Sequence, residues 1–194
     1  MIDQHKNFYN LEDLEILAKN LIKDLKKGSI VCLKGELGAG KTTFARFIIN
    51  SFYDLEDLKI LAKNFTKVLK KGSIVCLKGE LGAGKTTFAR FIINSFYDSK
   101  KIKKPTSIKS PTFPILLTYD LLDVEIFHYD LYRIKTNSEL DQLNIEENIS
   151  NSITLIEWPE IIVENFYNHK FYLIELIIHN ENQRIIKIKM INKN

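Results

Sequence analysis

Ser73-Ile74-Val75-Cys76-Leu77-Lys78-Gly79-Glu80-Leu81-Gly82-Ala83-Gly84-Lys85-Thr86-Thr87 is the stretch that decides the fold. A short continuous apolar run, of the kind found in a strand covered on both faces, leads into G-x-x-x-x-G-K-[ST] over residues 79–86, and an amphipathic helix follows from about Lys85 to Phe96. Strand, glycine loop and helix in that order open an α/β domain. The loop glycines let the backbone curl so that its N–H groups face inward, and the helix amino terminus adds partial positive charge. Lys85 is then placed to reach the β and γ phosphates of a nucleotide, and the Thr86 hydroxyl to hold Mg²⁺. The competing reading, a glycine-rich turn with no ligand, is disfavoured by motif and context together.

Working outward, the same stretch occurs twice. Residues 11–54 and 55–98 align without a gap and differ only at Glu15/Lys59, Leu21/Phe65, Ile22/Thr66 and Asp24/Val68, so 40 of 44 positions match. Each copy opens with an amphipathic helix. In the second, Leu58, Leu61, Ala62, Phe65 and Leu69 recur at helical spacing over 55–71 and Gly72 stops it; in the first, Leu14, Leu17, Ala18, Leu21 and Leu25 do the same before Gly28. Solenoid repeats stack through a shared face and usually diverge, so near identity points to a recent duplication of a domain opening. Removing one copy leaves 150 of the 194 residues, a normal single domain. The expected organisation is a leader at 1–10, a first copy at 11–54 serving as an extension, and a complete domain at 55–194. The first copy repeats the loop as Gly35, Gly38, Gly40, Lys41 and Thr42. Chain continuity favours the second loop, because using the first would insert 44 residues between a helix and the rest of the domain.

The remaining chain reads as alternating elements. Ser99 to Pro105 is a basic loop; strands are expected at 115–119 and 124–130, a helix at 138–149, a strand at 153–157, a helix at 159–166 and a hairpin of 171–179 with 184–191. Cys32 and Cys76 sit in identical apolar contexts, as two copies of one buried strand residue and not as a disulfide or metal pair. The 28 Lys plus Arg against 24 Asp plus Glu give a net charge of +4, too small to announce nucleic-acid binding. The amino terminus lacks the order of a secretory signal and no apolar run reaches membrane-spanning length, so a cytoplasmic protein with no membrane contact is expected.

A phosphate loop alone does not separate ATPases, GTPases and kinases. All eight glycines fall within the repeats, so no D-x-x-G follows the loop, and no N-K-x-D reads a guanine. Small-molecule kinases usually carry arginine-rich lids, and only Arg133 and Arg184 follow the repeat. Acids at strand ends beside the loop are also needed, to hold metal and attacking water. Asp120, Asp130 and Glu157 end apolar stretches. Glu157 closes the best buried-strand pattern and is the expected Mg²⁺ ligand or an acid acting on the metal through one of its ligands; Asp130 shares a strand face with His128 and is the expected water-orienting group. For each acid, a solvated strand end is the competing reading.

Four motifs, in order and spacing, resemble the TsaE (YjeE) ATPases: Gly79 to Thr87, Ser110-Pro111-Thr112-Phe113, His128-Tyr129-Asp130-Leu131-Tyr132-Arg133, and Glu157-Trp158-Pro159-Glu160. That resemblance covers about residues 55–191. It implies a small P-loop NTPase-like α/β fold with flanking helices, ATP and Mg²⁺ as nucleotide and metal, and an accessory role in making threonylcarbamoyladenosine at position 37 of tRNAs. The implied partners are the TsaD and TsaB proteins, with tRNA met only through their complex. It further implies that Glu80, Leu81, Gly82, Ala83, Gly84, Lys85, Thr86 and Thr87 bind the nucleotide, that Thr86 and Glu157 hold the metal, and that Thr112 and Asp130 act near the γ phosphate. Trp158 would pack near the nucleotide; core packing is the competing reading for Trp158 and Tyr132. Gly38, Gly40, Lys41 and Thr42 form the duplicate loop outside the working site. Two departures stand out: Leu58 replaces a usual Thr, and residues 120–123 lack the usual glycines. A small-molecule kinase and a nucleotide-binding chain without turnover are the alternatives.

Overall fold

In the apolar run that precedes the second loop, alternate residues face opposite ways: Val75 and Leu77 join one core, Ile74 and Cys76 the other, all four with no exposed surface. A strand buried on both faces belongs at the middle of a sheet. The computed structural model, which describes residues 10–22, 24–25, 29–49, 52–166 and 169–192, places it there.

The strands are β1 (Phe52–Tyr53), β2 (Ile74–Lys78), β3 (Leu116–Asp120), β4 (Glu125–Asp130), β5 (Ser152–Glu157), β6 (Lys170–Ile178) and β7 (Arg184–Asn192), in the spatial order β1-β7-β6-β2-β5-β4-β3. The four central strands β6, β2, β5 and β4 run parallel; β3, β7 and β1 pair antiparallel at the edges. Helices α1 (Leu11–Ile22) and α2 (Lys41–Ile49) belong to the first copy, α3 (Leu55–Phe65) and α4 (Lys85–Lys100) to the second, and α5 (Asn137–Asp141) and α6 (Ile145–Ile149) to the later chain. On one face of the sheet, Leu58, Ala62 and Phe65 of α3 and Phe88, Ile92 and Phe96 of α4 pack on Val75, Leu77, Ile153 and Leu155. On the other, Leu140, Ile145, Ile149, Ile162 and Phe166 cover Ile74, Cys76, Tyr129 and Phe171. This is an α/β sheet with helices on both faces, as expected.

Element ends depart from expectation where side chains or turns intervene. The helix expected over 55–71 stops at Phe65 and continues as a 3₁₀ turn over Thr66–Val68, with the Thr66 hydroxyl donating back to Lys63 O at 2.8 Å. The helix expected over 138–149 is broken by Asn144, whose φ of 44° lies in the left-handed region. Only Pro159–Ile161 of the helix expected at 159–166 forms, as one 3₁₀ turn. Helix α4 runs on to Lys100, taking Ser99 and Lys100 from the expected basic loop.

The larger departure is in the first copy. Its two helices form and pack together, burying Ala18, Ile22 and Phe44, but the expected strand does not: residues 30–36 carry no strand pairing, and Ile30 is 86% exposed. The position that this strand would take, between β5 and β6, is filled by β2. Cys32 is accordingly exposed, against the expectation of a buried strand residue, while Cys76 is buried. Identical sequence also diverges at Ser-Phe-Tyr-Asp: Phe52–Tyr53 pair with β7, whereas Phe96 and Tyr97 lie within α4. Residues 1–9 of the expected leader, and the helix stop Gly28, lie outside the described residues. Among the described residues no helix is long and apolar enough to cross a membrane.

Candidate nucleotide-binding site

Parallel strands end side by side, and the register of this sheet sets Leu77 of β2 against Glu157 of β5, and Glu157 against Asp130 of β4. The glycine loop leaves β2 at that same edge. A cleft of about 290 Å³ results, lined by Leu81, Gly82, Gly84, Lys85, Thr86, Thr87, Thr112, Asp130, Tyr132, Glu157 and Trp158. Residues separated by up to 77 positions in the chain thus meet because three parallel strands stop together.

The loop is held in shape by its glycines and by Lys85. Gly82 and Gly84 have φ of 79° and 101°, left-handed values that a side chain would strain. The Lys85 ammonium donates to Gly79 O at 2.6 Å and Glu80 O at 2.9 Å, and lies 3.6 Å from the Trp158 ring centroid. Burial holds its pKa below the usual lysine range, opposed by the negative charges of Glu157, Asp130 and Glu160.

Two buried carboxylates face the loop. Glu157, 1% exposed, accepts from the Thr86 hydroxyl at 2.7 Å through Oε2, and its Oε1 lies 2.9 Å from His128 Nε2. The other imidazole nitrogen, Nδ1, is buried with no hydrogen-bond partner, so the arrangement suits a neutral ring that donates from Nε2. An imidazolium there would bury a charged N–H without an acceptor. Asp130, 3% exposed, accepts from Thr112 Oγ1 at 2.7 Å and from the Tyr132 amide at 3.0 Å; Ser110 Oγ is 2.8 Å from Thr112 Oγ1. The segment 110–112 is thereby tied to β4. Asp120 goes elsewhere: β3 runs antiparallel to β4, so Asp120 pairs with Glu125 at the far end and caps its own turn by accepting from the Leu122 amide at 2.7 Å.

Trp158 is not a core residue. It follows β5 with φ 57°, left-handed for a bulky side chain, and packs on Tyr132 with centroids 4.8 Å apart and ring planes tilted by 49°; Tyr132 is 48% exposed. Strain of this kind gathers at functional sites. Glu80 and Ala83 shape the loop from outside the cleft lining, through Glu80 O and through the Ala83 amide that donates to it at 3.1 Å.

Sequence reasoning counted Arg184 only as an available cation. Its guanidinium reaches from the first position of β7 to the loop, donating to Ala83 O at 3.1 Å and Gly82 O at 3.2 Å. An arginine opening the second strand of a hairpin carries no signal of such a contact. Arg133 lies 5.5 Å from the Phe113 ring centroid. The duplicate loop, Gly38, Gly40, Lys41 and Thr42, lies outside this cleft but has the same internal geometry: the Lys41 ammonium donates to Gly35 O at 2.8 Å and Glu36 O at 2.7 Å.

The sequence model described as "Threonylcarbamoyl adenosine biosynthesis protein TsaE" matches residues 8–54 and again 52–186, one match for each copy of the repeat. Curated relatives named tRNA threonylcarbamoyladenosine biosynthesis protein TsaE include those of Rickettsia felis, 41% identical over 92% of this chain and 75% of the relative, and Rickettsia conorii, 48% identical over 78% and 58%. That of Aquifex aeolicus is 32% identical over 77% and 71%. Among solved structures, Bacillus subtilis YdiB superposes with a TM-score of 0.55 at 25% identity, covering 72% of this chain and 82% of that one.

Proposed function

The chain belongs to the TsaE family of tRNA threonylcarbamoyladenosine biosynthesis, and from that membership we propose that it is a Mg²⁺-dependent ATPase acting in the cytoplasm as an accessory to TsaD and TsaB proteins. The observation that carries this reading is the meeting of the Thr86 hydroxyl and the Glu157 carboxylate, 2.7 Å apart at the mouth of a phosphate loop. Hydroxyl and carboxylate oxygens are the hard donors that Mg²⁺ prefers, so the residues present fit the metal. Bound there, Mg²⁺ would neutralise charge on the β and γ phosphates.

The protein's own groups do the rest. Residues 80–87 wrap the phosphates with backbone N–H groups, and Lys85 turns from the carbonyls of Gly79 and Glu80 to a phosphate oxygen. Asp130 orients the attacking water, and Thr112, bonded to Asp130, carries the 110–112 segment toward the γ phosphate. Trp158 and Tyr132 offer a paired aromatic wall. The two arginines after the repeat are engaged with loop carbonyls and with Phe113, which speaks against an arginine lid for a transferred phosphoryl group. A tRNA would be met through the partner complex, the chain's own charge of +4 being modest.

Phosphate release tests this reading. The protein alone is expected to turn over slowly and to be stimulated by TsaD and TsaB together, with no acceptor metabolite required. Phosphate appearing only on an added metabolite, or no release with both partners present, would refute it.

A further inference from the structure

Up to the end of the loop, the two copies are built alike except for one element. Asn10 caps α1 by accepting from the Asp13 amide at 2.8 Å, as Asp54 caps α3 by accepting from the Asp57 amide at 2.9 Å. Ala18 and Ala62 are each fully buried in their helix pairs. The two loops repeat each other bond for bond: Ala39 N to Glu36 O at 3.2 Å and Ala83 N to Glu80 O at 3.1 Å, Phe44 N to Gly40 O and Phe88 N to Gly84 O each at 2.8 Å. What the first copy lacks is a sheet for Ile30-Val31-Cys32-Leu33, and the slot that accepts this sequence is known, because the identical Ile74-Val75-Cys76-Leu77 lies between β5 and β6.

We propose that residues 11–54 are a second occupant of that slot: the chain exchanges its two copies, so that in a minor state Ile30–Leu33 pairs with β5 and β6 while residues 55–98 take the outer place, and Lys41 and Thr42 face Glu157 and Asp130.

Every side chain of the strand, the loop and the following helix as far as Asp98 would be replaced by its own kind; Ser99 and Lys100, the last two residues of α4, lie beyond the repeat. The four differing positions are tolerant. Lys59 is exposed and Val68 is 55% exposed, so Glu15 and Asp24 in their places meet solvent. Ile22 would replace the buried Thr66, whose hydroxyl bonds within its own helix turn, at Lys63 O. Leu21 would replace Phe65 and lose its edge contact with Tyr172, at 5.0 Å between centroids. The displaced copy keeps a helix pair, as the first copy now does. The outer place leaves Ile30 86% exposed and Val31 and Leu33 each 37% exposed, so an apolar strand stays in solvent whichever copy is inside. What separates the states is connectivity. The observed one leaves the spare copy at an end of the domain; the other must close a 44-residue loop, a factor of roughly 300 in population.

The thiols report which copy is inside, since Cys32 is exposed and Cys76 fully buried. The full chain is pulsed with iodoacetamide and digested after glutamate, which yields peptides 16–36 and 57–80, distinguishable by their differing residues. Wild type should label Cys32 at least about 100-fold faster than Cys76. Val75→Asp places a charge in the centre of the core and should force exchange: the protein stays folded by circular dichroism, Cys32 becomes protected and Cys76 reactive. Val31→Asp should label as wild type does, and Val31→Asp/Val75→Asp should not fold. A Val75→Asp protein that unfolds, or that labels both thiols alike, overturns the proposal. One arm rests on the proposed ATPase: adding Lys41→Ala to Val75→Asp should remove ATP binding. Thiol reversal without ATP binding in Val75→Asp would uphold the exchange and count against the nucleotide reading.

Discussion

Replacing Glu157 separates what its shape holds from what its charge does. Its carboxylate is the acceptor for both the Thr86 hydroxyl and His128 Nε2, and His128 Nδ1 is already without a partner. Glu157→Ala would leave the whole buried imidazole unsatisfied, at about 1–3 kcal/mol. Truncating a side chain that is 1% exposed adds a cavity cost of about 1–2 kcal/mol, less than a buried Leu→Ala because fewer apolar contacts are lost. Glu157→Gln fills the same space, accepts from Nε2 with its amide oxygen and donates to Thr86 with its amide nitrogen. It gives up only the charge that favours the Lys85 ammonium, which Asp130 and Glu160 also favour, so its cost should stay near 1 kcal/mol or below. In urea titrations followed by circular dichroism, the alanine variant should lose about 1–2 M of midpoint and the glutamine variant less than about 0.5 M. Both should lose the Mg²⁺ dependence of ATP binding. If glutamine destabilises as much as alanine, the pair is an imidazolium–carboxylate ion pair and the neutral ring inferred from Nδ1 is wrong. If Mg²⁺ still strengthens ATP binding to Glu157→Gln, the metal is held elsewhere.

Three other outcomes are expected. Gly79 and Gly35 share a strained φ, 147° and 154°, but only Gly79→Ala puts a Cβ inside contact distance of a backbone carbonyl, that of Leu176, the nearest atom at Gly35 being the Ala39 Cβ at 3.1 Å; the first should cost about 3–5 kcal/mol in a urea titration and the second about 1–2, and equal losses would contradict the placement of the two loops. Asp130→Asn keeps the Thr112 and Tyr132 bonds in outline and should lower partner-stimulated phosphate release at least about 100-fold with little change in ATP affinity, while a matching fall in affinity would make Asp130 a binding residue. Burial drives the Cys76 thiol pKa up, so the folded state holds that proton more tightly than the unfolded chain; stability is complete below the unfolded value near 9 and should fall by about 1.4 kcal/mol per pH unit above it, a slope that Cys76→Ala removes in alkaline urea titrations.

The central strand, the loop and the helix after it were legible because all three signals are local: an apolar run, glycines at fixed offsets, and a 3.6-residue period. Glu157 and Asp130 were legible for a related reason. In a parallel sheet a strand's last residue lies at the same edge as the loop, so an acid ending a buried run has only one place to be. Asp120 shows the limit of that inference, since an antiparallel strand delivers its last residue to the opposite edge. Arg184 and the unpaired state of Ile30–Leu33 were not legible, because each depends on neighbours distant in sequence. The duplicated segment makes this plain. Ile-Val-Cys-Leu is a strand at 74–77 and unpaired at 30–33, and Ser-Phe-Tyr-Asp holds a strand at 52–53 and a helix at 95–98. Identical propensities were overridden by which partners were free.

The place of β2 between β5 and β6 also bears on synthesis. Its partner strands end at Glu157 and Ile178, so 100 residues must be added after Lys78 before the second wall of its slot exists. At about 5–20 residues per second, that is a wait of roughly 5–20 s on the ribosome. Both candidate strands have left the ribosome by then, each with a helix pair to shelter its loop. The copy translated first gains no head start, and the contest between them is settled only when the last third of the polypeptide emerges.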